Sequence, residues 1–186
     1  MAESAFTIRD FDSTRDAVAV QQIDASFVSE RVFRMRVRQD SLDLELTHVT
    51  PSLRKRFQID LDQDCWEQGY VAVEDDRVRG FIATSFERWH RRLVIRHFYV
   101  DLPYRRRGIG RQLMEHAIEA DRHWGEGGAT TAWIETSNRN WPGVEAYRRL
   151  GFELCGCDLT LYRGTPSEDE FAIYMARTIG AQETGD

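Results

Sequence analysis

The chain reads as a mixed α/β fold with antiparallel hairpins at both ends, and three observations predict it. Short runs that alternate apolar and polar side chains, bounded by turn residues, occur in both halves of the chain. A strongly apolar run, residues 93–100, leads through a glycine turn into a helix with a clean apolar stripe. A second helix, opened by Pro142 and closed by Gly151, precedes the last strands.

Residues 6–11 alternate and suit a short strand. Residues 13–27 carry Val18, Ile23 and Phe27 at mostly helical spacing, with Asp12 or Ser13 as N-cap. Phe33, Met35 and Val37 then alternate with Arg34, Arg36 and Arg38, and Leu42, Leu44 and Leu46 with Asp43 and Glu45. A two-residue turn at Asp40-Ser41 sets Arg38 opposite Asp43 and Arg36 opposite Glu45, and sends the apolar side chains to the other face. Asp-Ser is not a favoured pair for such a turn.

Residues 51–66 are polar and ambiguous between a short helix and an ordered loop. Residues 69–73 form a strand, Asp75-Asp76 its turn and 78–86 the returning strand. Residues 93–100 follow as a third strand, whose apolar run suits a central, doubly covered position. Residues 110–124 are helical, striped by Leu113, Met114, Ala117 and Ile118, and Gly125, Gly127 and Gly128 end the helix. A strand at 130–136, a helix at 142–150 and strands at 152–162 and 171–177 complete the order.

The length suits one domain, residues 1–180, with 181–186 as a short polar tail. No apolar stretch is long enough to cross a bilayer, and the charged first twenty residues do not resemble a signal peptide, so a cytoplasmic location is expected. The net charge of −6 disfavours nucleic acid and favours a cationic small molecule. Cys65, Cys155 and Cys157 make no disulfide framework, and Cys155-Gly156-Cys157 lacks the partners of a metal site. A homodimer stays open.

The most informative stretch is Val100-Asp101-Leu102-Pro103-Tyr104-Arg105-Arg106-Arg107-Gly108-Ile109-Gly110-Arg111. A buried strand ends, a turn rich in Arg and Gly follows, and a helix begins at once. Glycines let backbone N–H groups point outward at a ligand, the helix dipole adds positive potential, and three arginines supplement it. Such a turn suits a pyrophosphate. It lacks the Gly-Lys-Ser/Thr of a nucleotide-triphosphate loop and the third glycine of a dinucleotide fingerprint.

Arg105-x-x-Gly108-x-Gly110, after a Val-Asp strand end and before a long helix, resembles the acyl-CoA pyrophosphate loop of the GNAT superfamily of N-acetyltransferases. A second block of that superfamily is matched by Asn140, Gly143, Tyr147, Gly151 and Phe152. Within it, residues 27–177 resemble the streptothricin acetyltransferase group, as in 69–73, 87–95, 150–162 and 170–175. Arg96 and His97 stand where those relatives often carry an acidic residue, a departure that sets two basic groups against a cationic substrate.

The resemblance implies a GNAT fold, with a central, mixed, mostly antiparallel twisted sheet flanked by helices. It implies direct acetyl transfer from acetyl-CoA to a primary amine, with no metal. Cofactor contacts are implied for Phe98, Tyr99, Val100, Arg105, Arg106, Arg107, Gly108, Ile109, Gly110, Arg111, Asn140 and Tyr147. The backbone of Phe98 and Val100 is expected to pair with the pantetheine arm, and Tyr147 to act as general acid toward the CoA sulfur. For the base, Glu135 comes first, with Glu87, His97 and Asp158 as alternatives. Arg88, His90, Arg91 and Arg92 suit either the CoA 3′-phosphate or a charged hairpin turn. Trp89, Trp141 and Tyr162 suit either the amine pocket or packing.

Three functions fit this reading. The first is acetylation of a small cationic, streptothricin-like molecule, which would confer antibiotic resistance. The second is acetylation of a protein lysine or N-terminus, and the third is a non-catalytic acyl-CoA-binding module.

Overall fold

The computed structural model describes residues 6–56, 58–61, 66–124 and 127–179. In chain order the elements are β1 (Thr7–Asp10), α1 (Ser13–Gln21), β2 (Phe27–Val37), β3 (Leu42–Lys55), β4 (Gln68–Glu74), β5 (Arg77–Glu87) and β6 (Arg92–Val100). They continue with α2 (Ile109–Asp121), β7 (Thr131–Ser137), α3 (Trp141–Arg149), β8 (Glu153–Asp158) and β9 (Ala172–Thr178). The chain packs as two compact units. One comprises the N-terminal segment through Ala25, residues up to Ile134 from the far side of β3, and the chain from Arg177; the other holds 26–56 and 135–176.

In the first unit the strands run β1-β4-β5-β6-β7. The first three pairings are antiparallel and β6–β7 is parallel. β4 and β5 turn at Asp75 and Asp76, both with positive φ, as a tight two-residue hairpin requires. β6 lies between β5 and β7 with Leu93, Val94 and Ile95 buried, so the central position expected from its apolar run holds. Val20, Ile23, Ala25, Ile59, Val71, Phe81 and Ala83 pack together as a core.

α2 lays Leu113, Met114, Ala117 and Ile118 on the sheet, the stripe read from the sequence. A Cβ on Gly80 would stand 2.8 Å from the Leu113 side chain, so glycine permits the close approach. The helix ends at Asp121, short of the expected 124, and that residue turns inward. Its buried carboxylate accepts hydrogen bonds from the Tyr70 hydroxyl at 2.6 Å and the Thr84 hydroxyl at 2.5 Å. Burial pushes the Asp121 carboxyl up, against the pull of the Thr84 and Tyr70 bonds.

In the second unit, β2 and β3 form the expected hairpin in a different register. Arg36 faces Asp43 and Arg34 faces Glu45 across the ladder, and the loop is Arg38-Gln39-Asp40-Ser41. Asp-Ser does not favour the positive φ of a two-residue turn, so the loop widens, closed by Arg38 N–H to the Ser41 carbonyl at 2.9 Å. The expected ion pairs survive as diagonals, Arg36–Glu45 at 3.0 Å and Arg38–Asp43 at 3.1 Å.

Other boundaries differ as well. α1 stops at Gln21 with Asp12 as its N-cap, and Val18 is exposed rather than on a buried stripe. Residues 51–55, ambiguous in sequence, continue β3. β8 ends at Asp158, where the Asp158 carboxylate caps Thr160 and turns the chain out of the strand, so residues 159–162 are not extended. The tail at 181–186, Cys65 and Gly125 lie outside the described residues.

The buried carboxylate gives the first prediction. Thr84→Val keeps the shape but removes one donor, which raises the Asp121 pKa further. Because that pKa already lies above the unfolded value, the added cost is small near pH 4 and grows as pH rises toward 7. Urea unfolding at pH 7 should show a loss of about 1–3 kcal/mol.

Candidate functional site

β6 ends at Val100, a single 3₁₀ turn (Leu102–Tyr104) follows, and α2 starts at Ile109 behind Gly108. Gly108 has φ +88° and Arg106 φ +64°. A Cβ on Gly108 would meet nothing within 4 Å, so the glycine answers to backbone conformation and an open approach rather than to crowding. Left-handed Gly108 stands directly before helical Ile109, the kind of step that can turn successive N–H groups toward an anion at the positive end of a helix dipole. Gly110 sits under the Phe98 ring, its virtual Cβ 3.2 Å from the ring edge.

The three arginines divide their work. Arg105 donates to the Val100 carbonyl at 2.9 Å and to the Asp24 carbonyl at 3.1 Å. Arg107 forms a forked pair with the buried Glu74 at 2.6 and 3.1 Å. Tyr104 lies under two guanidinium groups, Arg79 at 4.0 Å and Arg107 at 5.2 Å. Arg105 and Arg107 therefore brace the turn. Arg106 is exposed and holds a left-handed conformation that costs a non-glycine residue about 1–2 kcal/mol. Arg111 is exposed in the first turn of α2, and Ile109 is buried beneath it.

In β6, the register against β5 shifts between Ile95 and His97, leaving Arg96 as an extra residue. The parallel ladder with β7 covers 92–95 against 131–134. Arg96 donates to Ser85 at 2.7 Å and to Glu87 at 2.9 Å, so its charge is neutralised by a neighbour. His97 is buried among Phe81, Trp66 and Tyr99, with its Nδ1 3.2 Å from the Tyr99 hydroxyl and its Nε2 without a partner. Burial holds the imidazole pKa below its usual value and so keeps the ring neutral at physiological pH. The conflict between these two residues and a cationic substrate is weaker than the sequence implies.

The second motif block lies in the other unit. Asn140 caps α3: its Oδ1 accepts from the Gly143 N–H at 3.0 Å and its Nδ2 donates to Thr136 Oγ1 at 3.0 Å. A Cβ on Gly143 would fall 2.3 Å from Asn140 Nδ2, which explains the small residue three positions on. Tyr147 is buried with its ring 6.4 Å from Phe152, and Gly151 closes the helix at φ +86°. Trp141 lies beneath Arg31 and Arg148 and lines an open cavity of about 520 Å³ with Val28, Glu30, Pro142 and Glu145.

Glu135, on β7, accepts a hydrogen bond from the Tyr162 hydroxyl. Burial pushes its carboxyl up, opposed by the Tyr162 bond and by Lys55, and assisted by Glu170. Lys55 Nζ reaches both oxygens of the buried Glu170 at 2.6 Å, and the Ser137 hydroxyl donates to the same carboxylate. Lys55 and Glu170 were not singled out from sequence. The run through Lys55 carries no clear alternation, and Glu170 stands in a polar loop.

The other candidates are engaged elsewhere. Glu87 pairs with Arg96 and with His90 at 3.0 Å. Asp158 accepts from Thr160 N–H and Oγ, both at 2.7 Å, and these bonds hold its carboxyl below the usual range. Residues 88–91 form the β5–β6 turn and Arg92 opens β6; Arg91 binds the Gly128 carbonyl at 2.8 Å, and Trp89 is 89% exposed. Cys155 and Cys157 lie on β8, and no group of three or more His, Cys, Asp or Glu is placed to hold a metal among the described residues.

Residues 35–152 match the model of the acetyltransferase (GNAT) family. The chain belongs to that family and is an acetyl-CoA-dependent N-acetyltransferase. It is 39% identical over 179 residues to the streptothricin acetyltransferase of Streptomyces lavendulae, covering 90% of this chain and 93% of that one. It superposes on nourseothricin acetyltransferase with a TM-score of 0.85 and 37% identity, over 95% of this chain and 99% of the other. A Bacillus anthracis chain described as a streptothricin acetyltransferase, solved in complex with acetyl coenzyme A, matches at TM-score 0.74 and 25% identity over 94% and 99% of the two chains.

The capping geometry gives Asn140 a structural role. Asn140→Ala should lower stability by about 1 kcal/mol in urea unfolding. Asn140→Ser or Asn140→Asp should recover most of that loss, because either restores an acceptor for the Gly143 N–H.

Proposed function

We propose that this enzyme acetylates a primary amine of a small cationic antibiotic of the streptothricin type, in the cytoplasm where acetyl-CoA is made, and so confers resistance. The observation that carries the reading is the 39% identity to a streptothricin acetyltransferase across nine-tenths of the chain. The half-buried, hydrogen-bonded Glu135 supports it, since a carboxylate suits an ammonium acceptor.

The turn fits the donor. Arg106, Gly108, Ile109 and Gly110 present backbone N–H groups to the pyrophosphate. Arg105 and Arg107 hold the turn in shape, and the Arg106 side chain adds charge at a position where glycine would be less strained. Arg111 stands near the phosphates, the backbone of Phe98 and Val100 pairs with pantetheine, and Tyr99 anchors that strand in the core. Asn140 contributes by fixing the start of α3, since its amide is spent on the cap.

A lysine-type amine, of pKa about 10.4, is neutral in roughly one molecule per few thousand at pH 7, so the site has to remove a proton. Glu135 first holds the ammonium and then takes its proton. The neutral amine nitrogen bonds to the thioester carbonyl carbon and sheds its second proton to water, the C–S bond breaks, and Tyr147 gives its hydroxyl proton to the leaving sulfur and regains one from water. A thiol of pKa about 8.5 already leaves readily, so that last transfer is worth the low end of roughly 10²–10⁴.

The test is an acetylation assay across streptothricin, polyamines, aminoglycosides, free lysine and lysine peptides, run with wild type and Tyr147→Phe. Streptothricin should be acetylated with the highest kcat/KM, and the variant should lose roughly tenfold to a hundredfold in kcat with little change in KM for acetyl-CoA. Activity confined to peptides would overturn the acceptor reading. Unchanged turnover in the variant would reduce Tyr147 to packing.

A further inference from the structure

The segment after β8 leaves the strand at Asp158 and returns to Phe171, just before β9. It carries Tyr162 inward against β7, where the tyrosine hydroxyl donates to Glu135, and near its end the buried Glu170 accepts from Ser137. We infer that Tyr162 is a positioning residue that sets the protonation of Glu135, so that the loop from 159 to 171 tunes the base as well as covering it. The inference rests on the reading of Glu135 as base.

The physical argument is a balance of opposing fields on one carboxyl group. Burial penalises the anion and pushes its pKa up. A hydroxyl donated to that anion stabilises it, and so does the Lys55 ammonium. Glu170 acts the other way, but Lys55 and the Ser137 hydroxyl hold that carboxylate, and Arg139 stands 3.8 Å from it. Tyr174, the remaining titratable group in electrostatic reach, turns its hydroxyl to Asp158 at 3.4 Å and is itself pushed up to about 12, chiefly by burial. Of these groups Tyr162 alone donates directly to Glu135. Its own pKa is raised strongly, by burial first and then by the Glu135 charge, so it stays protonated and remains a donor through the whole working range.

A base raised too far by burial is protonated at neutral pH and cannot accept the amine's proton. Tyr162 prevents this. Removing its hydroxyl while keeping the ring should therefore raise the Glu135 pKa and move the acid limb of the rate profile to higher pH. A hydrogen bond to a charged group is worth enough to shift that limb by about one pH unit, or about tenfold in kcat/KM on the limb. A merely structural role for Tyr162 would instead depress the rate equally at all pH values.

The experiment measures kcat/KM against pH from 5 to 9 for wild type, Tyr162→Phe and Glu135→Gln, with an amine that the acceptor panel shows to be turned over. The expected result is an acid limb displaced upward by about one unit in Tyr162→Phe, with the alkaline plateau retained, and loss of that limb in Glu135→Gln. If Glu135→Gln removes the limb but Tyr162→Phe lowers the rate evenly across pH, Tyr162 does not set the base and the inference falls while the base assignment stands. If Glu135→Gln keeps both the rate and the limb, the base assignment falls and the inference with it, and the neutral His97 with its bare Nε2 becomes the base to test.

Discussion

The first unit depends on one constraint: the chain has to enter α2 through a left-handed Gly108 with open space beside it. The residues around the turn follow from that requirement. Gly108 and Arg106 take left-handed backbone angles so that N–H groups point away from the protein. Arg105 ties the turn to the end of β6 and to Asp24, and Arg107 ties it to Glu74 on β4. Leu113, Met114, Ala117 and Ile118 fix the helix on the sheet, and Gly80 lets it come close enough for that packing to be tight. A turn braced at both ends needs little rearrangement to receive an anion, so less affinity is lost to ordering it.

The second unit solves a different problem, that of placing acids inside a protein with donors to hold them. Glu170 is held by Lys55 and Ser137, Glu135 by Tyr162, and Asn138 bridges the Phe33 carbonyl and the Phe171 N–H. Burial raises the pKa of Glu135, and its donor limits the rise. The same logic, with a tyrosine and a threonine as donors, governs Asp121 in the first unit, where the buried acid anchors the far end of α2. Glu135, Glu170 and Asp121 each accept from a hydroxyl, and those donors help decide what each acid does.

Much of this was legible in the sequence, for identifiable reasons. The strand-turn-helix at residues 92–121 was visible because three signals coincide there: an apolar run, paired glycines and a helical stripe. The limits of α3 were visible because Pro142 and Gly151 each have one strong positional preference, while the Asn140 cap emerged only from the structure. The hairpin at 27–55 was legible in type but not in register, since the ion pairs form equally well on the diagonal and Asp-Ser does not specify the turn. The end of β3 and the bend after Asp158 were hidden, because neither alternates in hydrophobicity and the bend is made by a side-chain cap. Glu135 was singled out by its place near the end of a strand, but its contact with Tyr162 and the Lys55–Glu170 pair arise between segments far apart in sequence. The division of labour among Arg105, Arg106 and Arg107 was equally invisible, since three adjacent arginines look alike until the backbone aims them apart.

The central claim is that backbone conformation at the start of α2, more than side-chain charge, creates the anion site. Calorimetric titration of acetyl-CoA into Gly108→Val tests it most directly. Valine does not tolerate the left-handed angle, so the empty turn relaxes and binding has to restore the strained form at a cost of about 1–2 kcal/mol. The account predicts affinity weakened by about tenfold or more with the fold retained by circular dichroism. Wild-type affinity in a folded Gly108→Val protein would contradict it.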